Sequence, residues 1–165
     1  MSVKPIPEGY HTLTPFLTVR DAARAIEFYK QAFGAAVRGD VAKGLDGKVL
    51  HSELKIGDSI MMLSDEFPEY GSLSPQSSGG AGMGLHIYLE GVNAAFDRAV
   101  KAGAQVEMPL ADQFWGDRYG KLKDPFGHHW SIATHVKDMS EDEMKRSMDE
   151  AMKQMAPPEN LKKTA

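Results

Sequence analysis

Two stretches of this chain place the same elements in the same order, and that repetition restricts the fold more than any single motif. In the first, residues 12–19 (TLTPFLTV) alternate: Leu13, Leu17 and Val19 fall on one side of a strand, and Thr12, Thr14, Phe16 and Thr18 on the other. Asp21 is an N-cap for a helix whose apolar residues Ala22, Ile26, Tyr29 and Phe33 share one face, and Gly34 suits the position just past its end. Strands at 36–42, 48–56 and 59–64 follow, with DG at 46–47 and GD at 57–58 as turns. The pattern restarts at 85–91 (LHIYLEG), where Leu85, Ile87 and Leu89 alternate with His86, Tyr88 and Glu90. Asn93 is expected to cap a second helix striped by Phe96, Ala99 and Val100 and closed by Gly103. Strands at 105–110, 115–123 and 128–135 complete the unit, the last two joined by the turn DPFG at 124–127, where Pro125 presets φ. With the two caps aligned, Thr14 stands opposite His86, each seven residues before its cap.

Each unit is therefore β-α-β-β-β. One helix covers one face of its sheet, so the other face is either buried by the partner unit or left as a concave surface. The expected class is α+β: two tandem βαβββ modules forming a concave, cup-like mixed sheet with helices on the outer face, plus a C-terminal helix. The chain reads as one domain over 1–165, with modules at 12–64 and 85–136. Between them, residues 65–84 are rich in Gly, Ser and Pro and read as a linker loop. In the tail, Ser140 and Glu143 form a capping box that opens an amphipathic helix over 140–156, stopped by Pro157-Pro158. Its stripe of Met144, Met148, Met152 and Met155 reads as a packing surface, with an adaptable lid or partner surface as the sharper alternative.

Composition narrows the function. Hydrophobic residues at 42% and charged residues at 25% are ordinary for a globular chain, and a net charge of -4 with no Lys/Arg run argues against nucleic acid as a partner. There are no cysteines, which removes disulfides and thiolate metal sites. The N-terminus lacks the apolar core of a signal peptide and no apolar run has the length of a membrane span, so the expected location is the cytoplasm and no membrane partner is expected.

The string LTVRDAARAIEFYKQAFGA resembles the opening of vicinal-oxygen-chelate modules, and FWGDRYGKLKDPFGHHWSIATH resembles their close. The likeness spans residues 12–136 and is nearest to the PhnB-like and bleomycin-resistance-like branch of the glyoxalase/bleomycin resistance/dioxygenase superfamily. It implies a ligand cup, and in catalytic members a divalent ion held by the first and last strands of each module. Carried over, those positions are Thr14, Met62, His86 and Ser131, with Met62 and Ser131 depending on strand register. A hydroxyl and a thioether are poor donors beside one imidazole, so a metal-free site with no cofactor is expected. The alternative is a metal-dependent lyase, isomerase or dioxygenase using a shifted set, His51, Glu53 and His86, since His51 and Glu53 share a strand face.

The expected function is binding of a small organic molecule in the cup, and catalysis is left open. His86 is the candidate hydrogen-bonding group or general base, although the first reading of it is a structural polar residue. Phe16 and Tyr88 share its face and are candidate walls with Thr14, Met62 and Ser131. Trp115, Arg118 and Tyr119 could clamp a flat or anionic ligand, or serve as edge packing with a surface ion pair. Trp130 is expected in the core. The Met stripe and the habit of the resembled family make a homodimer the expected assembly.

Overall fold

The structure, a computed structural model, describes residues 3–155. The first module consists of β1 (Phe16–Val19), α1 (Ala22–Phe33), β2 (Ala36–Lys43), β3 (Val49–Ile56) and β4 (Ser59–Asp65). After a short helix α2 (Pro75–Ser78), the second repeats the order with β5 (Gly84–Tyr88), α3 (Val92–Lys101), β6 (Gln105–Asp112), β7 (Asp117–Lys123) and β8 (His129–His135), and α4 (Glu141–Met155) follows. The strands form two four-stranded mixed sheets with matching orders, β1-β4-β3-β2 and β5-β8-β7-β6. In each, the first strand runs parallel to the last and the remaining neighbours are antiparallel.

Alternation sets which side each helix covers. Leu17, Val19, Leu54 and Leu63 of the first sheet, and Leu122, Trp130 and Ile132 of the second, are buried with Ile26, Tyr29, Phe33 and Phe96 in one cluster that runs across both modules. Trp130 joins the halves: its ring lies 4.7 Å from Phe33 and 5.4 Å from Tyr29, both on α1. Beneath it, the buried carboxylate of Asp124 accepts hydrogen bonds from Tyr29 Oη at 2.7 Å, Trp130 Nε1 at 2.8 Å, and the backbone N–H groups of Phe126 and His128. Four donors compensate a carboxylate taken out of water. Burial first, and then the charge of Asp124, push the Tyr29 hydroxyl well above its ordinary pKa.

α1 forms as the sequence predicts. Asp21 accepts from the backbone N–H of Arg24, and Gly34 ends the helix at φ 68°. The second helix does not: its cap is Gly91, at φ 64°, and Asn93 lies inside the first turn, where its side chain accepts from Arg118. The strand reverses into the helix so tightly that only a left-handed residue fits, and Gly91 supplies it. This moves the alignment of the halves by two residues. Phe16 pairs with Met62 as His86 pairs with Ser131, so Phe16, not Thr14, is the counterpart of His86.

β1 is also shorter than expected. Pro15 has no N–H to give to a ladder, and the pairing begins where its carbonyl accepts from Met62. Leu13, expected in the core, is 86% exposed, and Thr12 and Thr14 precede the strand. The stretch 65–84 is more structured than its composition suggests. Asp65 belongs to β4 and accepts from the N–H groups of Ala22 and Val49, and a 3-10 turn at Pro68–Tyr70 and α2 follow. Glu66 is held by the hydroxyl of Ser77, the N–H of Ser74 and Arg20, and the hydrogen bonds from the two serines are the main reason its pKa drops to about 2.

The capping box of α4 is present, with Ser140 N donating to Glu143 at 2.9 Å and Glu143 N to Ser140 Oγ at 3.3 Å. On the methionine stripe, Met144 is half-buried, and Met148 and Met152 are 43% and 63% exposed. The expected stop at Pro157-Pro158 lies outside the described residues. Among the described residues no helix is long and apolar enough to cross a membrane.

Candidate functional site

In the second sheet, the face turned away from α3 carries an unusual concentration of rings and titratable groups. His86 on β5 faces Ser131 on β8, with Nδ1 and Oγ 2.7 Å apart. The imidazole meets Tyr88 edge-on at 4.7 Å and lies nearly parallel to Tyr119 of β7 at 5.9 Å. Trp115, in the turn before β7, meets Tyr119 edge-on at 5.5 Å. His86 and Tyr88 are exposed, and Tyr119, Trp115 and Ser131 are half-buried, so the rings form a continuous, accessible wall.

One end of this wall is built on Asp117, which is buried. Its carboxylate accepts from Tyr88 Oη at 2.9 Å, Trp115 Nε1 at 3.1 Å and His135 Nδ1 at 2.8 Å. Burial works to raise the pKa of Asp117, but the hydrogen bonds from His135, Tyr88 and Trp115 outweigh it, and the carboxyl titrates below its usual range. The other nitrogen of His135 reaches Asp138 at 3.0 Å. With a carboxylate at each ring nitrogen, Asp117 first and Asp138 second, His135 is held above its ordinary pKa. The Tyr88 hydroxyl is raised by its bond to Asp117.

The first module's open face differs. Phe16 is half-exposed beside Met62, 6.0 Å from the ring of His51. Glu53 shares that face but is engaged: Arg38 lies at 2.9 Å and His51 at 3.6 Å. The Tyr10 hydroxyl, then Arg38 and His51, hold the Glu53 carboxyl below its usual pKa. Arg38 also donates to the Glu8 carbonyl and lies over the Tyr10 ring, which straps the N-terminal segment across this sheet. Where the two sheets meet, a cleft of about 530 Å³ is lined by Thr14, Ile60, His86, Tyr88 and Trp130 among others.

The structure thus brings His86, Tyr88, Trp115, Tyr119 and Ser131 together. It places Thr14 at the edge of the cleft, and Phe16 and Met62 on the other module's face. Arg118 is not part of the wall. It faces the α3 side, where it donates to Asn93 and pairs with Asp112 at 2.9 Å. Trp130 is in the core as expected. Sequence reasoning missed Asp117, Asp138, Lys121 and the role of His135. The alternation of β7 could have found two of them, because Asp117 and Lys121 are in phase with Tyr119.

A divalent ion at the positions carried over from the resemblance would meet Phe16, Met62, His86 and Ser131, since Phe16 takes the place of Thr14 in this register. A phenyl ring, a thioether and a hydroxyl beside one imidazole do not fit such an ion. The shifted set is not assembled either. Among the described residues no group of three His, Asp or Glu side chains is arranged to hold a metal ion, and Glu53 already has its partners.

Two four-stranded mixed sheets in repeated βαβββ order define the fold class. The chain belongs to the glyoxalase/bleomycin resistance protein/dioxygenase superfamily, whose family model matches residues 10–132. A Mycobacterium tuberculosis protein is 45% identical over 139 residues, covering 82% of this chain and 81% of its own. The structure of an Arabidopsis thaliana gene product is 31% identical with a TM-score of 0.59, over 75% of this chain and 98% of that one. TioX from Micromonospora sp. ML1 has a TM-score of 0.58 at 23% identity, over 79% of this chain and all of its own, and the PhnB protein from Bacillus cereus 0.53 at 20%, over 75% and 99%. These last two are likenesses of fold.

Proposed function

We propose that this chain is a PhnB-like, bleomycin-resistance-type member of the superfamily that takes up a small organic molecule on the ring-lined face of the second module, without a divalent ion. One observation carries the reading: His86, Ser131, Tyr88, Tyr119 and Trp115, contributed by three strands and a turn, form one continuous exposed wall. Rings and hydrogen-bonding groups suit a planar or amphipathic ligand. Each ring stacked on Tyr or Trp contributes on the order of 1 kcal/mol beyond area burial, whereas micromolar affinity needs about 8 kcal/mol, so several walls act together. His86, free of a metal, orients the ligand through its outer nitrogen while Ser131 fixes its ring. The working unit in this reading is a homodimer, supported by the half-exposed Phe16 and the exposed Met148 and Met152 of α4.

A screen of planar and glycopeptide-like compounds by tryptophan fluorescence tests the reading, because Trp115 lies in the wall and Trp130 in the core. Saturable changes that vanish in Trp115→Phe and weaken in His86→Ala support it. Hits with affinities unchanged in both His86→Ala and Trp115→Ala contradict it.

A further inference from the structure

We infer that the ligand of the ring-lined face is a planar aromatic molecule bearing a carboxylate, its ring on Trp115 and Tyr119 and its acid group on Lys121. The inference rests on the reading that this face is the binding surface, and names the chemistry it selects. The register sets the geometry. Lys121 pairs directly with Ser131, and Ser131 with His86, so all three side chains leave the sheet on the same side as Tyr119. Lys123 lies on that side too, opposite His129. Along β7 the surface therefore runs from Asp117 through Tyr119 to Lys121 and Lys123, with Tyr119 and Lys121 about 7 Å apart.

The two ends differ in charge. At the Asp117 end the carboxylate is answered by three donors, one of them the raised-pKa His135, so no bare negative charge meets a ligand there. At the other end, Glu107 is held by His129 at 2.8 Å, while Asp112 lies near the Asp117 end and pairs with Arg118 on the opposite face. Among the described residues Lys121 and Lys123 make no ion pair within 4.0 Å and no side-chain hydrogen bond. A chain of net charge -4 thus presents two unanswered ammonium groups beside an aromatic wall and the Ser131 hydroxyl. Lysine carries its charge on a flexible stem and binds as a point charge, which fits a single carboxylate. Tyr119 and Trp115 supply the flat surface, and Ser131 supplies a hydroxyl beside the acid.

The experiment compares 2-naphthoate, 2-naphthamide and 2-naphthylmethylamine by titration calorimetry at low salt, against the full chain and its Lys121→Met, Lys121→Met/Lys123→Met and Lys121→Arg variants. The acid is expected to bind about fivefold more tightly than the amide, the scale of one exposed charge contact, and the amine more weakly than either. The preference for the acid falls away in Lys121→Met/Lys123→Met while affinity for the amide stays, and Lys121→Arg retains it. It also shrinks as salt screens the contact. Equal binding of acid and amide to the unmodified chain, or a preference that survives in the double variant, overturns the carboxylate assignment and leaves the face as a neutral aromatic site. If none of the three probes binds, the ring-lined face itself is wrong as a binding surface and both readings fall.

Discussion

Tyr29 on the first module's helix and Asp124 in the second module's last turn share a buried 2.7 Å hydrogen bond, and it ties the two halves through one carboxylate. Replacing Tyr29 with Phe leaves Asp124 buried with three donors in place of four. The expected cost is about 1–3 kcal/mol of global stability, read as a lower urea midpoint with an unchanged slope. A change confined to the slope would mean that the two modules unfold separately and that the bond does not couple them.

His135 links stability to pH. Its folded pKa is raised by Asp117 and Asp138, so the linkage contributes fully below the ordinary value of about 6.5 and is lost as pH rises through the higher folded value. Imidazole NMR should place the His135 pKa above the ordinary value of about 6.5. The unmodified chain should lose stability relative to His135→Gln, which lacks the titrating group, as pH rises above about 6.5. Parallel pH profiles for the two chains would remove His135 as the cause.

The donor set predicts little bound metal. After exhaustive desalting, elemental analysis should find less than about one divalent ion per several chains. A stoichiometric transition metal that disappears in His86→Ala would show that His86 recruits donors other than those identified, and would restore metal chemistry to the account.

Light scattering at tens of micromolar should give twice the chain mass of 18.1 kDa. Replacing Met148 and Met152, the exposed residues of the α4 stripe, with Gln should shift the mass toward that of one chain if this face is part of the contact. A single-chain mass for the unmodified protein rejects the dimer.

Much of this architecture was legible from alternation alone. Leu17, Val19 and Trp130 could be assigned to the helix side because a sheet with one covered face imposes period two, and Gly34 and the Ser140–Glu143 box marked helix ends by their chemistry. The errors came where a backbone requirement overrode a side-chain preference. Asn93 is a good cap by type, but the turn needed a left-handed residue and Gly91 took the position, which moved the counterpart of His86 from Thr14 to Phe16. Pro15 stops β1 short of Leu13, whose alternation extends the strand in the sequence pattern. The candidate site was half visible. His86, Tyr88, Tyr119, Trp115 and Ser131 were in phase, whereas Asp117 and His135 gain their meaning from a contact 18 residues apart that no local pattern displays. Arg118 was read with its aromatic neighbours but leaves β7 on the opposite face.

The wall around His86 is the proposed binding surface. Backbone amide chemical-shift mapping during titration with 2-naphthoate tests it most directly. The largest shifts are expected at His86, Tyr88, Trp115, Tyr119, Lys121 and Ser131, with small shifts at Phe16, His51 and Glu53. Saturable shifts centred on the first module's face, with the second module's strands unmoved, would contradict it.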